Sequence, residues 1–327
     1  MHDFAATMIR ILTSTVVTIL MSTAAIVGQS STSTTWGDPD IEGIFTFATI
    51  TPLQRPGNVD GKTILTAEEA ASLEERTARE RVDRPPRPGD TGTYNRFWVD
   101  YGTKVVATKR TSLITDPADG KLPAVVQQVQ QRNKASRATG PQSPSGHEDL
   151  SITDRCIMGF NAGPPFLPSA YNNTVQIFQT PDYVVILNEM IHDARIIPIN
   201  GNPELSDNIR QWLGSSRGYW DQNTLVVETK NFSSGRELLG GVNIWRYPNA
   251  GTSDRSARLI ERFTRLDAAT INYEFTLNDP GTWTQPWSAT FPLVEIDTNV
   301  FEYACHEGNY SAANILSGAR ADEMNSH

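Results

Sequence analysis

Ionisable side chains gather at a few places in this chain, and those places limit the chemistry open to it. Asn188-Glu189-Met190-Ile191-His192-Asp193-Ala194-Arg195 brings an imidazole, two carboxylates and a guanidinium together. Acid–base catalysis needs an imidazole or a raised carboxyl beside an oriented partner, with a cation to steady developing negative charge. His192 and Arg195 fit those roles. The alternative is a turn in which Asp193 caps its own backbone and His192 is solvated. Cys305-His306-Glu307-Gly308-Asn309-Tyr310 is the second cluster. His306 and Glu307 can serve one site only if the strand ends or bulges there, since neighbours on a regular strand point apart, and Gly308 permits such a break. Otherwise this is a disulfide-anchored strand end whose histidine bonds backbone alone. Convergence of His192 and His306 with one carboxylate would make a metal site conceivable. No spacing demands it, and the expectation is a site without metal or other cofactor.

Glu261 is the most informative carboxylate. In Leu259–Arg265 it shares a face with Leu259 and Phe263, while Arg262 and Thr264 point the other way. A carboxylate on an apolar face is costly unless paired, and burial raises its pKa into the range useful for proton transfer. The alternative is a structural ion pair with an arginine from a neighbouring strand. Arg217, among Trp212, Tyr219 and Trp220, could hold an anionic ligand group or form a buried fork with Glu261. Trp220, Tyr273, Trp283 and Trp287 read either as core or as the wall of a cavity for a flat or apolar ligand. Gly214-Ser215-Ser216-Arg217-Gly218 matches the GxSxG string that places a serine nucleophile on a strand-to-helix turn. Here a turn and the strand Thr224–Thr229 follow, with no helix, so the match is read as chance.

The 327 residues suffice for one large domain or two ordinary ones, and 38% hydrophobic content can bury a core. A net charge of −9 without a Lys/Arg block excludes the electrostatic footprint of a nucleic-acid binder. Five histidines and two cysteines cannot build a cysteine-rich zinc site or an iron–sulfur cluster. No GxGxxG, GxxxxGK[ST] or HExxH string occurs.

Arg10, the apolar run Ile11–Val27 and the small residues around Ala25 and Gly28 describe a secretory signal peptide over residues 1–28. An uncleaved anchor is the competing reading, but the Thr and Ser within the run make it a poor span. The expectation is a secreted or periplasmic protein with no stable membrane insertion. In an oxidising compartment Cys156 and Cys305 form an even pair suited to a disulfide; two separate buried thiols are the alternative.

Residues 29–35 read as a flexible Ser/Thr linker. The stretch 36–150 reads as an extension wrapping the core. It offers the strand-like GIFTFATI after Trp36, a capping box Thr66-x-x-Glu69 opening a helix through Val82, a break at RPPRPGD, strands within Phe97–Ile114, and a polar helix over Val125–Ala135. From 151 to 320 short β-rich runs follow one another: 174–180, 183–192, 194–199, 224–229, 258–266, 270–278, 283–293 and 299–305. In Thr270–Asn278 the apolar positions Ile271, Tyr273, Phe275 and Leu277 alternate with polar ones. Many short strands with no interleaved helices predict a mainly β fold, an antiparallel barrel or strongly curved sheet.

The strings RQWLGSSRGYWDQNTLVVETKNF, ILNEMIHDARIIPINGNP, ERFTRLDAATINYEFTLNDPGTWTQPW and EYACHEGNY, with TPLQRP and RPPRPGD, resemble those of a large family of secreted bacterial proteins to which no activity is assigned. The likeness covers nearly the whole chain after the leader. It implies export and a single co-extensive unit, and carries no catalytic role. The pattern G-x-W-x-x-x-T-L-V-V looks like strands of lipocalin-like barrels, an analogy of fold alone. The resulting expectation is an exported, metal-independent enzyme of isomerase, cyclase, lyase or hydrolase type. It would act on a small, partly apolar organic molecule in a barrel cavity, with a carrier lacking turnover as the alternative. Oligomeric state is left open.

Overall fold

Strict alternation is what builds this molecule. Along Thr270–Asn278 every apolar position, Ile271, Tyr273, Phe275 and Leu277, is fully buried, while the polar positions between them face outward. Leu259, Glu261 and Phe263 do the same on the preceding strand, and Trp287, Ala289, Phe291 and Leu293 on the following one. Period-two burial of this kind commits each strand to one inner face.

A computed structural model describes residues 33–59, 61–80, 99–131, 134, 143–199, 201, 203, 205–233 and 256–325. The expected leader, most of the linker and the RPPRPGD stretch lie outside these. Residues 33–40 are the described part of a unit of their own. In its described part Thr34 and Asp38 hydrogen-bond each other through the Thr34 hydroxyl and the Asp38 backbone, and Trp36 Nε1 donates to Asp38 Oδ2 at 3.1 Å.

The second unit, Ile41–His327, carries a ten-stranded sheet. Its strands are β1 (Gly43–Thr46), β2 (Ile114–Asp116), β3 (Thr174–Gln179), β4 (Tyr183–Asn188), β5 (Ala194–Pro198), β6 (Ser215–Asp221), β7 (Thr224–Lys230), β8 (Arg258–Asp267), β9 (Thr270–Asn278) and β10 (Trp287–Glu295). The order is β5-β4-β3-β1-β10-β9-β8-β7-β6, every neighbouring pair is antiparallel, and β2 shares an edge of β10 with β1. The sheet curls into a nearly closed barrel. Nine strands alternating in direction leave the first and last pointing the same way, so closure has to be parallel. Among the described residues the bridge across the seam, Ile199 to Gly218, is indeed parallel. A Cβ at Gly218 would lie 2.6 Å from Ile199 Cδ1 and 3.1 Å from Ile197 Cγ2, so the seam needs a residue without a side chain there.

The fold class is thus the one the alternation predicts. Several details differ. The expected strand 183–192 stops at Asn188, because Met190–His192 forms a 3-10 turn with Ile191 at φ 62°. The run 283–293 starts at Trp287, since Thr282 and Trp283 both donate to the Asp279 carbonyl in a turn. Residues 299–305 form no strand, and of the expected 97–114 strands only β2 exists among the described residues. Ser215–Asp221, where no strand is expected from the sequence, is strand β6. The first 3.6-period element is α1 (Ala67–Glu80), capped as expected: Glu69 N–H donates to Thr66 Oγ1 and Thr66 N–H to Glu69 Oε2. Residues 127–131 and 134 are helical. A second helix, α2 (Tyr310–Asn325), was not anticipated. Strand β1 lies inside the sheet between β3 and β10, so this part of the 36–150 stretch is built into the barrel instead of wrapping it.

Candidate functional site

The tight turns 180–182, 222–223 and 268–269 all lie at one end of the barrel. The opposite end carries the connections β2 to β3, β4 to β5 through the Met190–His192 turn, and β9 to β10. Loops at the mouth of a barrel are where side chains can converge without disturbing the ladder.

Three of the residues singled out in the sequence meet just inside this mouth. Arg195, the second residue of β5, points inward and is buried. Glu261 on β8 is completely buried and faces it across the interior. Arg195 Nη1 donates to Glu261 Oε1 at 3.2 Å and Nη2 to Oε2 at 2.6 Å, a two-pronged contact. Tyr273 on β9, diagonal to Glu261 across the β8–β9 ladder, donates its hydroxyl proton to Oε1 at 2.8 Å. The Tyr273 oxygen in turn accepts the Phe166 backbone N–H at 3.2 Å. Burial, followed by the Glu261 charge, pushes the Tyr273 phenol well above its ordinary range. The hydroxyl is therefore a neutral donor at every physiological pH.

Phe166 arrives from the loop between β2 and β3, where Gly163, at φ 68°, turns the chain into Pro164-Pro165-Phe166-Leu167. Its ring lies 5.6 Å from Phe47, 6.3 Å from Phe263 and 5.0 Å from Tyr273, centroid to centroid. Phe291 lies level with Tyr273, and towards the mouth the interior is filled by Phe275 and Trp287, the latter packed edge-on to Phe275 and Trp283. Trp283 and Trp287 are buried core residues, and Trp220 is a half-buried side chain packed against that core.

The remaining sequence candidates lie elsewhere. Arg217 alternates with the inward Ser216 and Gly218 of β6, so it sits on the outer face opposite Glu228; the expected fork with Glu261 is made by Arg195 instead. Ser216 Oγ is hydrogen-bonded to Thr229 Oγ1 at 2.8 Å within a strand, not on a nucleophile elbow. His306 and Glu307 are exposed in a turn closed by Asn309 N–H to the His306 carbonyl, whereas Glu261 is fully buried, so these groups do not form one site. The His192 backbone belongs to the Met190–His192 turn; its side chain is outside the described part.

Outside the barrel wall, the mouth is covered by a cap. Cys156 and Cys305 are joined, with Cα atoms 5.8 Å apart and a sequence separation of 149. Ala162, Met190 and Ile191 form a small buried cluster with Phe160, Tyr171, Tyr303 and Cys305 against it. Asn161 holds the loop by donating to the Tyr171 and Asn172 carbonyls, each at 3.1 Å. Beside it the Glu189 carboxylate accepts the Phe301 N–H at 3.4 Å, and Asp100 lies close enough for the two carboxylates to repel. Asp100 as a residue is exposed, yet its carboxyl is crowded by protein. Desolvation raises its pKa, and the Glu189 charge adds to the rise. This pair escaped notice in the sequence because Asp100 and Glu189 come from remote segments.

Fold and site together define an antiparallel β-barrel with a buried Arg–Glu–Tyr network behind its mouth. No family model matches the chain, and no curated protein or solved structure is significantly similar to it. Among the described residues no three His, Cys, Asp or Glu side chains are grouped as a metal ion would need, and no helix is long and apolar enough to cross a membrane.

Proposed function

We propose that this is an exported barrel that binds a small, partly apolar organic molecule, with the Tyr273 hydroxyl as the polar anchor. The observation that carries the reading is the buried Arg195–Glu261–Tyr273 network within a wall of aromatic rings. Replacing a buried ion pair by apolar side chains is often neutral or stabilising, so stability alone is a weak reason to keep one. A preorganised hydroxyl in a low-dielectric, aromatic surrounding is what specific recognition of an organic ligand requires. Glu261 itself suits binding better than proton transfer, since both its oxygens already accept hydrogen bonds. Export is supported by the leader-like residues 1–28 and by the Cys156–Cys305 disulfide, a bond that persists in oxidising compartments.

A second reading, metal-independent acid–base catalysis on such a molecule, has one observation in its favour. Asp100 carries a raised carboxyl pKa next to Glu189, beside the Met190–His192 turn, and a carboxyl so tuned is a fit general acid or base. Native mass spectrometry of the protein recovered from its producing cells separates the readings. A carrier shows a non-covalent adduct that Tyr273→Phe weakens and Asp100→Asn leaves alone. An enzyme shows an adduct that Asp100→Asn retains or enriches in unconverted form. A bare mass in all three proteins overturns both.

A further inference from the structure

The upper interior of the barrel is occupied by something that is not part of the barrel. Phe166 belongs to a loop, yet its ring is enclosed by Phe47, Phe263 and Tyr273 and is almost wholly buried. Its backbone N–H is the group that engages the Tyr273 hydroxyl. A side chain from a strand would hold such a position through the ladder; this one holds it through the ring contacts and the bond of its N–H to Tyr273. The adjoining residues Gly163, Pro164 and Pro165 give the loop a shape of its own, in which a Cβ at Gly163 would come within 3.0 Å of the Pro165 backbone.

Two further buried atoms at the same end have no hydrogen-bond partner among the described residues: Arg195 Nε, a donor, and Asn188 Oδ1, an acceptor. Asn188 and Arg195 both point inward, on paired strands β4 and β5, with Arg195 opposite Ile186. They are therefore diagonal neighbours on one face, close enough for one small polar group to meet both. Buried polar atoms left unpaired are rare and call for an occupant, whether water or ligand.

From this juxtaposition, and resting on the binding reading above, we infer that Phe166 is an internal stand-in for the ligand. The barrel takes an aromatic ring bearing an amide-like group, whose N–H meets Tyr273 and whose remaining donor and acceptor meet Asn188 and Arg195, and it does so by displacing the Pro164–Leu167 loop. The wild-type protein then binds more weakly than its site allows, because only the fraction with the loop withdrawn is competent.

N-acetyl-L-phenylalaninamide carries the ring and N–H of Phe166 itself and is the probe of choice. Toluene is the control with a ring and no donor, and N-acetyl-L-alaninamide the control with a donor and no ring. Calorimetric titration of Phe166→Ala should show the probe binding at least 10-fold more tightly than to wild type, and more tightly than either control. Adding Tyr273→Phe should weaken the probe about 5-fold, the worth of one hydrogen bond, and leave toluene unchanged. Equal affinity for probe and toluene, unaffected by Tyr273→Phe, would reveal a plain apolar hole and overturn the inference. So would the absence of probe binding to folded Phe166→Ala. Should that variant fail to fold, wild-type protein at saturating probe decides by hydrogen exchange: faster exchange of the Phe166 amide supports displacement, and unchanged protection overturns it. A native adduct whose affinity Phe166→Ala does not increase would defeat this inference while leaving the binding reading intact.

Discussion

At one end of the barrel the chain reverses at 180–182, 222–223 and 268–269, and each strand is handed straight to its neighbour. Two of those turns are held by local side-chain bonds, Thr180 Oγ1 accepting the Tyr183 N–H and Asp267 Oδ1 accepting the Ala269 N–H. The other end is built from distant pieces. Residues near 100, 160, 190 and 303 meet there, stitched by a disulfide and a Tyr171–Tyr303 stack. Three non-glycine residues in this region, Cys156, Asn172 and Ile191, have positive φ. For Ile191 the cost is real, since a branched side chain fits that conformation badly. Buried polar atoms without a hydrogen-bond partner among the described residues, Asn161 Oδ1, Asn188 Oδ1 and Arg195 Nε, lie there, against Arg265 Nη1 at the tight end. The tight end obeys local rules, the positive φ of Gln222 being what a two-residue hairpin turn requires. The looped end departs from those rules repeatedly, which is how a functional site differs from scaffolding.

The largest test of that contrast is Glu261→Gln. It leaves the Arg195 charge buried without its counter-ion and should lower stability by about 3–5 kcal/mol in urea unfolding. The paired replacement Glu261→Leu with Arg195→Met should recover most of that loss while abolishing ligand binding. Recovery of stability with binding intact would make the network mere scaffolding and erase the distinction between the two ends.

Breaking the Cys156–Cys305 bond by Cys305→Ser with Cys156→Ser should cost about 2–5 kcal/mol, given the long loop it closes. The effect should be uneven. Limited proteolysis is expected to cut around residues 296–309 first, while amides of β7 to β9 keep their protection. Simultaneous loss of protection throughout the sheet would show that the cap and the barrel are one cooperative block.

The smallest effect has a sign that differs between the ends. Asp100 has a raised native pKa, so the folded protein holds its proton at a pH where the unfolded chain has released it. That contribution is harmless below the ordinary value of 3.8 and becomes destabilising as pH rises past it. Asp100→Asn should therefore raise stability at neutral pH, by under about 1 kcal/mol in so exposed a residue, with the gain vanishing in acid. Asp267 at the tight end has a lowered pKa, set mainly by the Ala269 N–H. Its contribution is present above 3.8 and disappears as pH falls through the native value, so Asp267→Asn should weaken the protein at neutral pH. Urea midpoints across a pH series would check both signs, and slopes of the same sign would refute the contrast.

What the sequence revealed follows the same division. The strands of the meander were legible because their inner residues are large: Leu259, Phe263, Ile271, Tyr273 and Phe291 advertise their alternation. Glu261 stood out because it interrupts such a row, and its pairing with an arginine was among the readings it allowed. Which arginine was not legible, for Arg195 is 66 residues away and joins it only when the sheet curls. Strand β6 was missed for a physical reason. Its inner face lies at the seam, where Gly218 must be small and Ser216 bonds Thr229, so the apolar alternation that announces a strand is absent. Segment 299–305 failed in the opposite sense, alternating like a strand while serving the cap through Tyr303 and Cys305 and leaving Phe301 exposed.

Strand β1 has a consequence for the order of events during synthesis. It is made first, finds β3 only after more than a hundred further residues, and must then wait for β10 to fill its other edge. Until then the nascent half-sheet β5-β4-β3-β1 has an apolar inner surface and two open edges, features that invite association with other chains. The ring closes only once β10 has emerged, which makes folding dominated by distant pairings and correspondingly slow. Whatever shields that half-finished surface in the meantime, chaperone or neighbouring chain, is as much a requirement of this topology as the seam itself.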